Sequence, residues 1–501
     1  MMFTPRTQGS GNRTPGPGLE IARDPREHGG ATEFPAMTSP AFLPVHAQVA
    51  EIAAGRLSPV DLVEEYLARI ERLEPALHAF VSVNAANARL AAEAADKAIR
   101  SGHRVGPLHG IPVAIKDLVE IEGEVATGGS AAWRDRIAPR TATLHRKMMA
   151  AGMINLGKTH TVEFAYGGWG TNQHLGTPRH PWDPAVHRAP GGSSSGSGVA
   201  VAARLAPWAI GTDTGGSVRI PAAWNGITGL KTTIGRISTY GVLPLSGTLD
   251  TPGPITRDIE DAALLLSVLQ GADPRDPHTM AVRDVDPLAG LRRGVRGLRL
   301  GRLPTSERAG VDAEVLAAYD RSVDFLASQG AEIVDLTLPA RFADLGGIVG
   351  RVISAEIYAK IAALADDNAT PLDQDVRPRV RAGAAISSRD YLAGLEARER
   401  MKLDFNAAIA GVDAVLTPTM VAPAPVVASI DQATTPAVFT RWVNFYDLCA
   451  AAVPNGFTSG GLPLSLQIVC RGYEEALALR VGHAYQSAHD WHLTVPPMAE
   501  G

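Results

Sequence analysis

The sequence predicts an α/β protein built on one large sheet, and three observations carry that prediction. Short apolar runs of strand length ("PVAIK", "PWAIGTD", "VDAVLTP", "LSLQIV") alternate with longer stretches whose apolar residues recur at helical spacing. Of 501 residues, 45% are hydrophobic and 20% charged, enough apolar material for one large core or for two to three domains. No segment of about 20–50 residues repeats, and no interior linker marks a boundary.

The elements follow in chain order. "SPVDLVEEYLARIERLEP" starts a helix, with Ser58 at the N-cap, Pro59 at the first helical position and Asp61 completing a capping box. Val63, Tyr66, Leu67, Ile70 and Leu73 form its apolar stripe, and Pro75 is expected to end it. "ARLAAEAADKAIRSG" is a second helix, and "GIPVAIKD" a buried strand ending on Lys116. "TATLHRKMMAAGMINLGKT" reads as helix then strand. Gly, Ser, Thr and Pro dominate from Gly167 to Gly253, and "TRDIEDAALLLSVLQG" is an apolar helix capped by Gly271. Leu298 to Leu336 reads strand, helix, strand; "VDAVLTP" and "LSLQIV" add strands, and "EEALALRVGHAYQSA" closes the chain as a helix.

Composition excludes several function classes. The net charge is −5 with no basic block, which leaves nucleic acid no electrostatic footprint. The longest uncharged stretch, Leu448 to Cys470, is interrupted by Pro454, Asn455, Gly456, Gly460, Gly461 and Pro463, which a lipid-facing span does not tolerate. The two cysteines, Cys449 and Cys470, make no disulfide framework and read as small buried hydrophobes of a reducing compartment. Residues 1–36, rich in Pro, Gly, Arg and Thr, contain no signal-peptide core and are expected to be a disordered tail, with Met37 an alternative start. The expectation is a cytoplasmic protein with one domain over residues 37–501, no nucleic-acid or membrane partner, and a homodimer left open.

Two short motifs invite chemistry and lack the right flanks. "GMINLGKT" fits the phosphate-loop pattern, yet a helix precedes it and no helix starts at Lys158, the reverse of what a phosphate cradle needs. "GSSSG" fits a nucleophile elbow centred on Ser194, but the proline-containing "DPAVHRAPG" before it is no strand. None of the histidines downstream (His278, His483, His489, His492) has a distinctive context.

A third pattern is long. "PLHGIPVAIKD", "GKTHTVEFAYGGWGTN", "APGGSSSGSGVAVAA", "GTDTGGSVRIPAAWNGITGLK", "STYGVLPLSGTLDTPGPITRDIEDAALLL" and "GLPLSLQIV" together resemble the amidase signature family of Ser–cisSer–Lys hydrolases, from about Leu57 to His492. The resemblance implies a twisted mixed sheet with helices on both faces and a catalytic core at about residues 100–270. It implies Ser217 as the acyl-forming nucleophile, Ser193 as a bridging serine on a cis Gly192–Ser193 bond, and Lys116 as general base. The N–H groups of Thr214, Gly215, Gly216 and Ser217 would form the oxyanion hole. Ser194, Asp213 and Arg219 would support the loop without reacting. No metal or cofactor is implied.

The residue types make chemical sense. A serine hydroxyl attacks poorly unless a neighbouring base takes its proton. A lysine can be that base when burial depresses its pKa, and a second hydroxyl can accept from one partner while donating to the other. The resemblance also implies pocket candidates: Phe164, Tyr166 and Trp169, which follow Lys158 in a segment that lines the acyl site in the family, and Arg441, Trp442, Asn444 and Tyr446, in the variable region that shapes specificity.

Triad chemistry does not separate amides from esters, carbamates or ureas. The segment "FTRWVNFYDLCAAAVPNGF" looks closer to stand-alone amidases, so the expected function is hydrolysis of a small-molecule amide. The alternative is the glutaminase subunit of a tRNA-dependent amidotransferase, or a carbamate, urea or ester hydrolase of the family.

Overall fold

A computed structural model of the protein describes residues 39–500. The expected tail, residues 1–36, lies outside the described residues. Among the described residues eleven strands form one sheet: β1 (Phe80–Val83), β2 (Pro112–Lys116), β3 (Ile154–Thr159), β4 (Ala209–Asp213), β5 (Thr228–Lys231), β6 (Thr251–Thr256), β7 (Arg299–Arg302), β8 (Glu332–Asp335), β9 (Ala414–Pro418), β10 (Cys449–Phe457) and β11 (Pro463–Cys470). Their order is β1-β3-β2-β4-β6-β5-β10-β11-β9-β7-β8. The sheet is mixed. β2 runs parallel to β3 and β4, and β7 parallel to β8 and β9, while the pairs from β4 through β6, β5, β10 and β11 to β9 are antiparallel. The central strands are buried along their whole length, as their apolar runs require.

The helix starts follow their caps. Ser58 Oγ accepts from Asp61 N at 3.0 Å to open the Pro59–Leu77 helix, and Asp258 caps Ile259–Leu269 through Asp261 N at 2.8 Å. The first of these runs through Pro75 instead of stopping at it. A proline in the last turn forfeits little, because the chain leaves the helix three residues later, at His78 in the left-handed region. The Glu74 carboxylate then accepts from Ala79 N and Phe80 N.

Other elements gave little signal in the sequence. β6, "TPGPIT", carries two prolines and is nevertheless paired on both sides. The uncharged stretch with its breakers is the β10–β11 hairpin. Two long helices, Gly346–Asp366 and Ser388–Ala408, lie in a region for which the sequence suggested no elements. No described helix is long and apolar enough to cross a membrane. Cys449 and Cys470 are both buried and unpaired.

Parallel pairing of β2 with β4 (Ala114↔Ala209, Ile115↔Ile210) brings two strand ends to one edge of the sheet. That edge is where parallel strands deliver side chains to a crevice. Lys116 ends β2 and Asp213 ends β4.

Candidate active site

Lys116 is fully buried at the end of β2. Its Nζ lies 2.7 Å from Ser193 Oγ and 2.8 Å from Thr212 Oγ1. Burial pushes its pKa down to about 7, against the pull of Asp250 and Asp213. A lysine there can be neutral near neutral pH, which general-base work requires.

Ser193 is reached through a cis peptide bond, Gly192–Ser193. The next serine, Ser194, is held by β4: its Oγ donates to Thr212 O and accepts from Thr212 N, both at 3.3 Å. No histidine is among its partners within the described residues, so the elbow pattern finds no base there. Ser194 N donates to Ser217 O at 3.3 Å, which ties the serine cluster to the loop after β4. The cluster then becomes the Ser195–Ala202 helix, wholly buried, where Gly196 is needed: a Cβ would come within 2.1 Å of Ala79 O. Ser197 Oγ lies 2.7 Å from Thr159 Oγ1 and donates to Ile210 O at 3.1 Å.

The loop Thr214–Val218 turns around a buried carboxylate. Asp213 accepts from Gly216 N at 2.7 Å and Val218 N at 3.2 Å, and pairs bidentately with Arg219 (Nε–Oδ2 3.0 Å, Nη2–Oδ1 2.9 Å). Burial alone would raise its pKa, but Arg219 and Lys231 bring it down to about 2. The N–H of Gly216 is therefore committed to Asp213 and leaves the expected oxyanion set. Those of Thr214, Gly215 and Ser217 meet no acceptor among the described residues, and Ser217 is 7% exposed.

Four supports carry no motif in the sequence. Thr212 has no motif of its own yet holds Lys116. Gln467 Oε1 on β11 and Thr440 O accept from Arg219 Nη1 at 2.7 and 2.8 Å. Asn444, expected in the substrate pocket, instead sits beneath the loop. It donates to Asp213 O at 2.9 Å and accepts from Arg219 Nη2 at 2.7 Å.

Beside Ser217 opens a cavity of about 270 Å³, whose walls include Tyr166, Thr214, Gly215, Ile220, Arg379 and Arg441. Of the aromatic residues expected there, only Tyr166 lines it, its hydroxyl 2.7 Å from Ser354 Oγ. Phe164 packs edge-on against Trp133, Trp169 stacks on Trp224 with ring centres 5.9 Å apart, and Tyr446 stacks on Phe405 at 4.3 Å. Trp442 is buried against Phe342. These rings satisfy their apolar surface against one another, which is the commoner fate of an aromatic side chain. The phosphate-loop pattern dissolves likewise: Lys158 lies inside β3, buried, its Nζ on Val119 O.

A family model described as Amidase matches residues 61–479. A glutamyl-tRNA(Gln) amidotransferase subunit from Halorhodospira halophila (strain DSM 244 / SL1) is 37% identical over 481 residues, covering 89% of this chain and 98% of its own. The corresponding protein of Chloroflexus aggregans (strain MD-66 / DSM 9485), which carries the same name, is 36% identical over 92% of this chain and 100% of its own. Among solved structures, one from a vestigial protein complex bearing on the evolutionary origins of an s-triazine catabolic enzyme superposes with a TM-score of 0.83 at 31% identity, covering 89% of this chain and 98% of that one. These relatives overturn two expectations. A short variable segment had favoured a stand-alone small-molecule amidase, whereas near-full-length identity is to amidotransferase subunits. The exclusion of nucleic acid from the chain's own charge does not extend to relatives named for a tRNA substrate.

Proposed function

The chain belongs to the amidase family, and we propose that it is the glutamine-hydrolysing subunit of an amidotransferase acting on glutamyl-tRNA(Gln). The observation that carries this reading is the extent of the similarity, which spans 98–100% of the amidotransferase relatives. A net charge of −5 is compatible with it, because a catalytic subunit can leave RNA binding to other members of a complex.

In this reading Ser217 Oγ attacks the side-chain amide carbonyl of glutamine. Its proton passes to Ser193 Oγ as the Ser193 proton passes to neutral Lys116 Nζ, 2.7 Å away. The oxyanion of the tetrahedral intermediate meets the N–H groups of Thr214, Gly215 and Ser217, aimed by the Asp213–Arg219 pair below. The proton returns by the same path to the departing nitrogen, and ammonia leaves. Water then attacks the acyl-Ser217 carbonyl and gives its proton to the relay; the bond to Ser217 Oγ breaks, the relay returns the proton to that oxygen, and glutamate is released.

Amide-¹⁵N glutamine tests the proposal. The isolated chain should release labelled ammonia. With its partner subunits and glutamyl-tRNA(Gln), the label should appear in the amide of glutaminyl-tRNA. No ammonia under either condition overturns it.

A further inference from the structure

A second cavity, of about 210 Å³, adjoins the one beside Ser217 and shares Ala165, Thr214 and Leu245 with it. Thr212, which holds Lys116 Nζ, is also in its wall. So is Asp250, the residue just before β6, and no other ionisable side chain among the described residues lines this space. Asp250 Oδ1 accepts from Thr214 Oγ1 at 2.5 Å, and Oδ2 accepts from Leu245 N at 2.8 Å and Ser246 N at 2.9 Å. The loop that supplies the last two donors is held in turn by Glu356 of the Gly346–Asp366 helix, which accepts from Ser246 Oγ at 2.5 Å and Thr248 N at 3.1 Å.

Two acids act on Lys116, Asp213 and Asp250, and they differ in what neutralises them. Asp213 is matched bidentately by Arg219 and lies near Lys231. Asp250 has only neutral donors, and no described cation pairs with it. Burial pushes its pKa up to about 6, with the charge of Glu356 adding to the rise, so the group is still ionised at pH 7. Its charge is therefore fixed in place and uncompensated. When the relay delivers a proton to Lys116, a cation forms where burial disfavours one, and a fixed negative charge lowers the energy of that state most where water is scarce.

We propose that Asp250 is a positioning residue for the reaction at Ser217: it holds Thr214 in the oxyanion loop and sets the unmatched negative charge that steadies Lys116 once it carries the proton. No proton passes to Asp250, and it touches no reacting atom. The proposal rests on Lys116 being the base and Ser217 the nucleophile. It does not depend on which amide is the substrate.

The pH dependence of Ser217 labelling by an organophosphonate tests it. In the unsubstituted enzyme the rate should climb on a limb near pH 7, and Lys116→Ala should abolish that limb. Asp250→Asn keeps the side chain's size and an acceptor for Thr214 but removes the charge. Its limb should lie about half a pH unit to one unit lower, because the neutral lysine is then favoured. Its plateau should be about tenfold to a hundredfold lower, since a weaker base takes the proton and less charge balances the cation. Thr214→Val leaves the charge and cuts the tie, so labelling should slow about tenfold while the limb stays in place. In a folded Asp250→Asn protein, a limb that coincides with the unsubstituted one or moves to higher pH overturns the inference. Labelling of Thr214→Val within a few-fold of the unsubstituted rate also overturns it, and that arm decides alone should Asp250→Asn not fold. A limb that survives Lys116→Ala would instead sink the assignment of the base.

Discussion

Arg219 and Asp213 form a bidentate ion pair in which neither side chain has any exposure to solvent. The remaining N–H groups of the guanidinium, and the remaining capacity of the carboxylate, are taken up by Thr440, Asn444, Gln467, Gly216 and Val218. A fully bonded buried pair is costly to break from one side, since the partner is left charged and unpaired. Arg219→Met is expected to lower stability by about 3–5 kcal/mol, read from the urea midpoint at constant m. An unchanged midpoint would mean that the pair does not hold the loop.

The proposed base should be visible in the pH dependence. With Lys116 lowered to about 7 by burial, its neutral form grows as pH rises through that value, so kcat/KM should climb on a limb centred near pH 7 and then level off. Lys116→Ala should remove the limb together with most of the rate. A profile that falls over this range would assign the base elsewhere.

The proposed nucleophile can be marked chemically. An organophosphonate should form one adduct, mapped by mass spectrometry to Ser217, with Ser193→Ala slowing the labelling. An adduct on Ser194, whose Oγ is turned to Thr212, would overturn the assignment.

Gly216 offers a backbone test. Its φ is +135°, and a Cβ would meet Thr440 Oγ1 at 2.3 Å and Ile220 Cδ1 at 2.7 Å. Gly216→Ala should displace the loop whose N–H groups are proposed to receive the oxyanion, lowering kcat by about 10²–10³ while global stability falls much less. Activity within a few-fold of the unsubstituted enzyme would show that the loop geometry is not limiting.

How much of this was legible beforehand depended on whether a residue's role was local. β2 announces itself as an apolar run closed by a lysine, and β4 as "AIGTD" before a Gly-Gly-Ser turn. β6 hides because two prolines read as turn chemistry, although its neighbours on both sides keep it extended. Asn444 and Gln467 act on Arg219 across more than 200 positions of chain, and a lone Asn or Gln carries no periodicity to reveal such a contact. Trp169 and Tyr446 misled because an aromatic side chain looks the same in sequence whether it faces a ligand or another ring. Arg441 stood among the pocket candidates and does line the cavity beside Ser217.

The reliance of Arg219 on Thr440, Asn444 and Gln467 has a consequence during synthesis. The loop that carries Ser217 leaves the ribosome nearly 250 residues before the last of its supports. At the usual pace of about 5–20 residues per second, that is an interval of roughly 12–50 seconds in which Ser217 exists without its scaffold. The nascent chain should therefore be inert toward phosphonate until its final strands emerge, and a stop codon after β9 should yield a protein in which every residue of the proposed triad is present and none can act.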